Sequence, residues 1–163
     1  MSSLVVQMLP GQVSDFWDVI KFAIEESVPP DVGEHPDKMN NILSSILCGN
    51  LDVWASYTKD KEGNGKFEGI ALTQEVYDES SNTRNLLIYS FYGYSEINLD
   101  VWKKLFITVA KLASEKKCNK ILAYSNVDKV IDMAKLFGGN ADYTFLTFDV
   151  KKTVEKLNDL SEV

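Results

Sequence analysis

Residues 86–125 read LLIYSFYGYSEINLDVWKKLFITVAKLASEKKCNKILAYS. Leu86–Tyr92 is apolar on both faces, the pattern of a strand covered from both sides in the middle of a sheet. Asn98 stands where it caps a helix, and Trp102, Leu105, Phe106, Val109, Leu112 and Ala113 recur at helical spacing behind it. A second strand, ILAY, lies within Lys120–Ser125. A strand, one amphipathic helix and another strand require a crossover. The two strands are therefore expected to be parallel neighbours with a right-handed connection. This unit sets the class as α/β.

The flanking segments extend it. Leu4–Leu9 reads as a strand closed by Pro10-Gly11. Ser14 is expected to cap a helix whose buried side carries Phe16, Trp17, Ile20, Ala23 and Ile24, with Pro29-Pro30 as its stop. After the loop DVGEHPD, Pro36 opens a second helix with Met39, Ile42, Leu43, Ile46 and Leu47 inward, ending at Gly49. Leu51, Val53, Ala55 and Tyr57 alternate as a strand, KDKEGNGK is a hairpin turn, and Phe67–Val76 returns. Beyond the central unit, Asn126 is expected to cap a helix over Val127–Phe137, and Tyr143–Val150 to form a last strand. Val154, Leu157 and Leu160 mark a short amphipathic helix. One domain over residues 1–150 is expected, followed by a tail, 151–163.

With 163 residues and a hydrophobic content of 45%, the chain can bury a real core. Its net charge of −7 opposes nucleic-acid binding, which needs cations to displace counterions from phosphates. Lys103, Lys104, Lys111, Lys116, Lys117 and Lys120 do gather around one helix and read as its solvated face. No apolar run is long enough to span a bilayer, and the N-terminus lacks the pattern of a signal peptide. Cys48 and Cys118 stand alone, which fits reduced thiols rather than a metal site or disulfide framework. His35, the one histidine, lies beside Pro36 and is either a helix-entry residue or a general base. Tyr89, Tyr92 and Tyr94, with Tyr124 on the facing strand, either line a cleft or pack in the core.

The order of elements resembles the Gcn5-related N-acetyltransferase (GNAT) fold over residues 4–150. The segment SNVDKVIDMAKLFGG is similar to that family's fourth-helix segment, N-x-x-A-I-x-L-Y-x-K-x-G-F, with Asn126, Ile131 and Gly138 on matching positions. KKCNKILAYSN is similar to its third-helix exit and fifth strand. The resemblance implies a mixed sheet with an N-terminal antiparallel meander, a central parallel pair and flanking helices. It also implies acetyl-CoA as cofactor, with pantetheine between the parallel strands and the pyrophosphate on a glycine-rich loop, Q/R-x-x-G-x-G/A.

Residues Tyr92, Gly93, Tyr94, Ile97, Asn98, Leu99 and Asn126 are the cofactor-contact candidates the resemblance assigns. Tyr89, Tyr124 and His35 are the catalytic ones. Two departures stand against the cofactor. Ile97–Asp100 replaces the glycines, with Glu96 and Asp100 adding negative charge, and Ala134 occupies the position of the fourth-helix tyrosine that, in the family, often protonates the departing thiolate. The expectation is a non-catalytic binding or assembly protein with no cofactor and no metal; the alternative is an acyl-CoA-dependent N-acetyltransferase with a divergent loop. Partners are expected at the open edge of Tyr143–Val150 and at the tail, through self-association or another protein, unless the tail covers that edge. Short, acidic GNAT-like proteins with eroded cofactor loops occur in bacteriophage genomes, and this chain resembles them. A cytoplasmic protein is expected, or a virion-associated one if the chain is a phage structural protein.

Overall fold

Alternating apolar residues in the first half of the chain build one mixed sheet. The structure, a computed structural model, describes residues 3–162. The chain divides into two compact units, Met1–Ala123 and Tyr124–Val163. The first contains β1 (Ser3–Gln7), α1 (Pro10–Asp15), α2 (Trp17–Glu25), α3 (Lys38–Leu47), β2 (Asp52–Lys59), β3 (Gly65–Asp78), β4 (Thr83–Gly93), α4 (Leu99–Glu115) and β5 (Lys120–Ala123). Among the described residues, five strands lie in the order β1-β2-β3-β4-β5. All neighbours are antiparallel except β4 and β5, which pair in parallel from Asn85↔Lys120 to Ile88↔Ala123. The parallel pair and the antiparallel meander expected from the sequence are both present. β5 stops at Ala123, so Tyr124 lies beyond the strand on which it was expected.

The period-two side-chain alternation of the strands divides the core. Val53, Ala55, Ile70 and Leu72 face α1–α3 and meet Val13, Ile20, Ile24, Ile42 and Ile46. Trp54, Ala71 and Leu86 belong to the other face, where Leu105, Val109 and Ala113 of α4 cover them. Trp54 Nε1 donates to Thr73 Oγ1 at 3.0 Å, and both residues are buried. Thr73→Val leaves that indole N–H unpaired and is expected to cost about 1–2 kcal/mol. A urea midpoint unchanged in that variant would contradict this.

Two sequence-based caps do not form in the expected places. Ser14 lies inside α1, because Pro10 opens that helix at the position proline favours and Leu9 N–H donates to Gln12 Oε1 at 2.8 Å. The chain then bends at Phe16 before α2. Asn98 does cap α4, its Oδ1 accepting from Val101 N–H at 3.0 Å. Lys116 lies at 3.7 Å from Asp52 and 3.8 Å from Glu75.

The second unit holds α5 (Asp128–Leu136) and α6 (Val150–Ser161). Val127, not Asn126, is the residue at the start of α5, and its N–H donates to Ser125 Oγ at 3.2 Å. Gly138, at φ +89°, turns the chain, and Gly139 N–H closes on Ala134 O at 2.8 Å. A Cβ on Gly139 would sit 2.7 Å from that oxygen, so glycine is required there. The expected strand Tyr143–Val150 is absent: residues 140–149 are irregular, and no described residue pairs with them in a ladder. Apolar residues favour a strand only when a neighbouring strand receives its N–H and C=O groups. Here Asp149 Oδ1 accepts from Lys152 N–H at 2.9 Å and starts α6, so Val150 is already helical.

Candidate functional site

The resemblance puts the cofactor where β4 runs into α4. The β4–β5 ladder ends at Ile88↔Ala123, while β4 continues against β3 as far as Gly93. Two bulges shape this end of the sheet. Tyr89 is the extra β4 residue where Leu72 pairs with Ser90 and Thr73 with Ile88. Glu68 is the extra β3 residue where Ser56 pairs with Gly69 and Tyr57 with Phe67. Bulges re-aim side chains locally.

Tyr89, Tyr92 and Tyr94 are all partly buried against the core on the α1–α3 side. The Tyr92 ring meets Phe22 edge-on at 5.5 Å and Tyr94 at 5.1 Å. Tyr94 N–H donates to Glu68 O at 2.9 Å, and its hydroxyl donates to Val19 O at 3.0 Å. Burial first, and then the neighbouring Tyr92, push the Tyr94 hydroxyl up to about 12. Burial, and secondarily the charge of Asp31, push Tyr89 up as well. Both therefore hold their protons at neutral pH.

The folded chain retains a proton on Tyr94 that the unfolded chain loses near pH 10. This contribution is complete below that pH and declines as pH rises toward about 12. Tyr94→Phe is expected to make the alkaline fall in melting temperature shallower. Superimposable alkaline limbs for the two proteins would contradict it.

The turn between β4 and α4 closes on itself. Ile97 is half-buried over two glycines of adjacent strands. A Cβ built on Gly69 would lie 3.1 Å from Ile97 Cδ1, and one on Gly93 would lie 3.2 Å from it. Asn98 occupies one N–H of the first turn of α4 with its own side chain, and Asp100 places a carboxylate there. Both satisfy a helix start by themselves.

The remaining candidates are scattered. His35 is exposed, and its Nδ1 accepts from Asp37 N–H at 3.0 Å at the entry to α3. Leu99 is an exposed first residue of α4. Tyr124 and Asn126 belong to the second unit, where the Tyr124 ring packs on Phe145 at 4.6 Å. Ala134 lies in α5. Sequence reasoning passed over Glu68 and Ser56. Each carries a buried side-chain oxygen, Oε1 and Oγ respectively, with no hydrogen-bond partner among the described residues. The available signal was a lone acid in the apolar strand FEGIALT. No group of three metal-ligating side chains occurs among the described residues. No described helix is long and apolar enough to cross a membrane.

No protein-family profile matches the sequence, and no curated protein sequence matches it. Solved structures do match its fold. An acetyltransferase from Trypanosoma brucei superposes with a TM-score of 0.64 at 12% identity, over 91% of this chain and 100% of that one. A predicted acetyltransferase from Clostridium acetobutylicum, solved with acetyl-CoA, gives 0.64 at 11% identity, over 93% and 98%. AAC(6')-Iy, in complex with a coenzyme A bisubstrate analogue, gives 0.65 at 13% identity, over 91% and 98%. With the central parallel pair, the meander and the flanking helices all in place, the chain has the GNAT acetyltransferase fold.

Proposed function

We propose that this chain is a non-catalytic binding protein built on an acetyltransferase fold. The observation that carries the reading is the closed β4–α4 turn. Gripping a pyrophosphate at a helix start requires free N–H groups and a backbone that the phosphates approach closely. Ile97 lies over the glycines at Gly69 and Gly93, Asn98 takes the Val101 N–H, and Asp100 adds like charge. Isothermal titration with acetyl-CoA is expected to give no saturable heat. A micromolar or tighter dissociation constant overturns the reading. Ile97→Gly uncovers the glycine pair and is the single change expected to bring affinity toward measurable values.

A second reading, an acyl-CoA-dependent N-acetyltransferase with a divergent loop, is favoured by one feature. The β4–β5 ladder stops at Ile88, so Ser90–Gly93 pairs with β3 on one side and is free of β5 on the other. Under that reading the pantetheine arm lies along this stretch. Release of free thiol from acetyl-CoA in the presence of amines would then be detectable with the unmodified chain.

A further inference from the structure

α2 and α4 cover opposite faces of the sheet, and both belong to the first compact unit. The outward side of each carries one apolar residue among charges of a single sign. The inward row of α4 is Val101, Leu105, Val109 and Ala113. At 3.6 residues per turn, Ile107 points about 180° away from the middle of that row, and Lys103, Lys104 and Lys111 lie within about 60° of Ile107. All four are exposed, Ile107 at 54%. The inward row of α2 is Ile20, Ala23 and Ile24. Phe22 points about 150° away from its middle, and Asp18, Glu25 and the C-cap Glu26 lie within about 60° of Phe22. These four are exposed too, Phe22 at 47%. Lys104 Nζ donates to Ser3 O at 3.2 Å, and Lys21 approaches Glu25 at 3.9 Å, both at the surface.

The two patches complement each other in sign and in spacing. Two lysines precede Ile107 by four and three residues and one follows it by four; one acid precedes Phe22 by four and two follow it by three and four. With α4 of one copy antiparallel on α2 of another, and Ile107 over Phe22, Lys103 and Lys104 come level with Glu26 and Glu25, and Lys111 with Asp18. A parallel arrangement leaves two lysines against one acid at one end and two acids against one lysine at the other. Asp100, a turn before the lysines, falls beyond the end of α2. A two-fold contact of α4 with α4 would set lysines against lysines, so the favoured contact is heterologous. Because the patches lie on opposite faces, every added copy leaves one patch of each sign open at the ends of the row. Nucleic acid is a poorer cover for the lysines, since the chain's net charge of −7 repels it.

We infer that copies of this chain stack head to tail, α4 of one lying antiparallel on α2 of the next. The contact goes beyond the binding-protein reading and does not depend on whether coenzyme A binds. The test is sedimentation velocity on the full chain over a concentration series, at about 0.1 M and about 1 M salt, where charges are screened beyond about 10 Å and about 3 Å. The mean mass is expected to rise with concentration at the lower salt and to stay at the monomer at the higher. Lys103→Glu/Lys104→Glu and, separately, Glu25→Lys/Glu26→Lys are each expected to raise the dissociation constant roughly tenfold. Neither reversal opposes the helix dipole, and all four residues lie outside the core, so unchanged melting temperatures are expected alongside. An equimolar mixture of the two variants is expected to restore association, because each reversed patch then meets a patch of opposite sign. A monomer at every concentration in about 0.1 M salt overturns the proposal. So does association indifferent to either reversal, or a mixture that fails to restore it.

Discussion

Leu72→Ala is expected to lower the unfolding free energy by about 2–5 kcal/mol. Leu72 is fully buried, on the strand between β2 and β4, and belongs to the core beneath α1–α3. Truncation removes the transfer energy of the lost atoms and leaves a cavity that a strand bonded on both sides cannot close. The loss is a large share of the total stability of a chain this size. Because Leu72 pairs with Ser90, next to the Tyr89 bulge, the cavity also opens beside the candidate site. Chemical denaturation reads the effect. A loss below about 1 kcal/mol would show that this core collapses around the gap, contrary to the packing described.

Gly93→Val tests the turn itself and is expected to cost about 1–3 kcal/mol. The first added carbon already meets Ile97 Cδ1 and Ser95 O, each at 3.2 Å, and the two further methyls have to displace Ile97. If Ile97 rests on the glycine pair, Ile97→Ala makes room for the valine. The double variant should then be less destabilised than the sum of the single changes. Simple additivity would mean that Ile97 does not cover Gly93.

The β-helix-β unit was legible because burial on both faces writes a continuous apolar run, and because a crossover leaves parallel pairing as the outcome. The cap at Asn98 was legible for the same local reason, a short polar side chain directly before a helical stripe. Ser14 and Asn126 offered that signal too, but Pro10 and Val127 begin the helices, since several residues near a helix start compete for one position. The segment Tyr143–Val150 misled because strand formation depends on a partner that no local pattern reveals. The bulges at Glu68 and Tyr89 depend on register between strands. The cover that Ile97 forms over Gly69 and Gly93 exists only once β3 and β4 lie side by side. Read along the chain, Ile97 was a missing glycine; in the fold it is a side chain with a surface to pack on.

The closed turn is tested most directly by amide chemical shifts of the isotopically labelled chain titrated with coenzyme A. The N–H signals of Gly93 through Val101, and of Gly69, are expected to stay in place at millimolar ligand. Progressive, saturating shifts of those amides would contradict it and assign the α4 entrance to the cofactor.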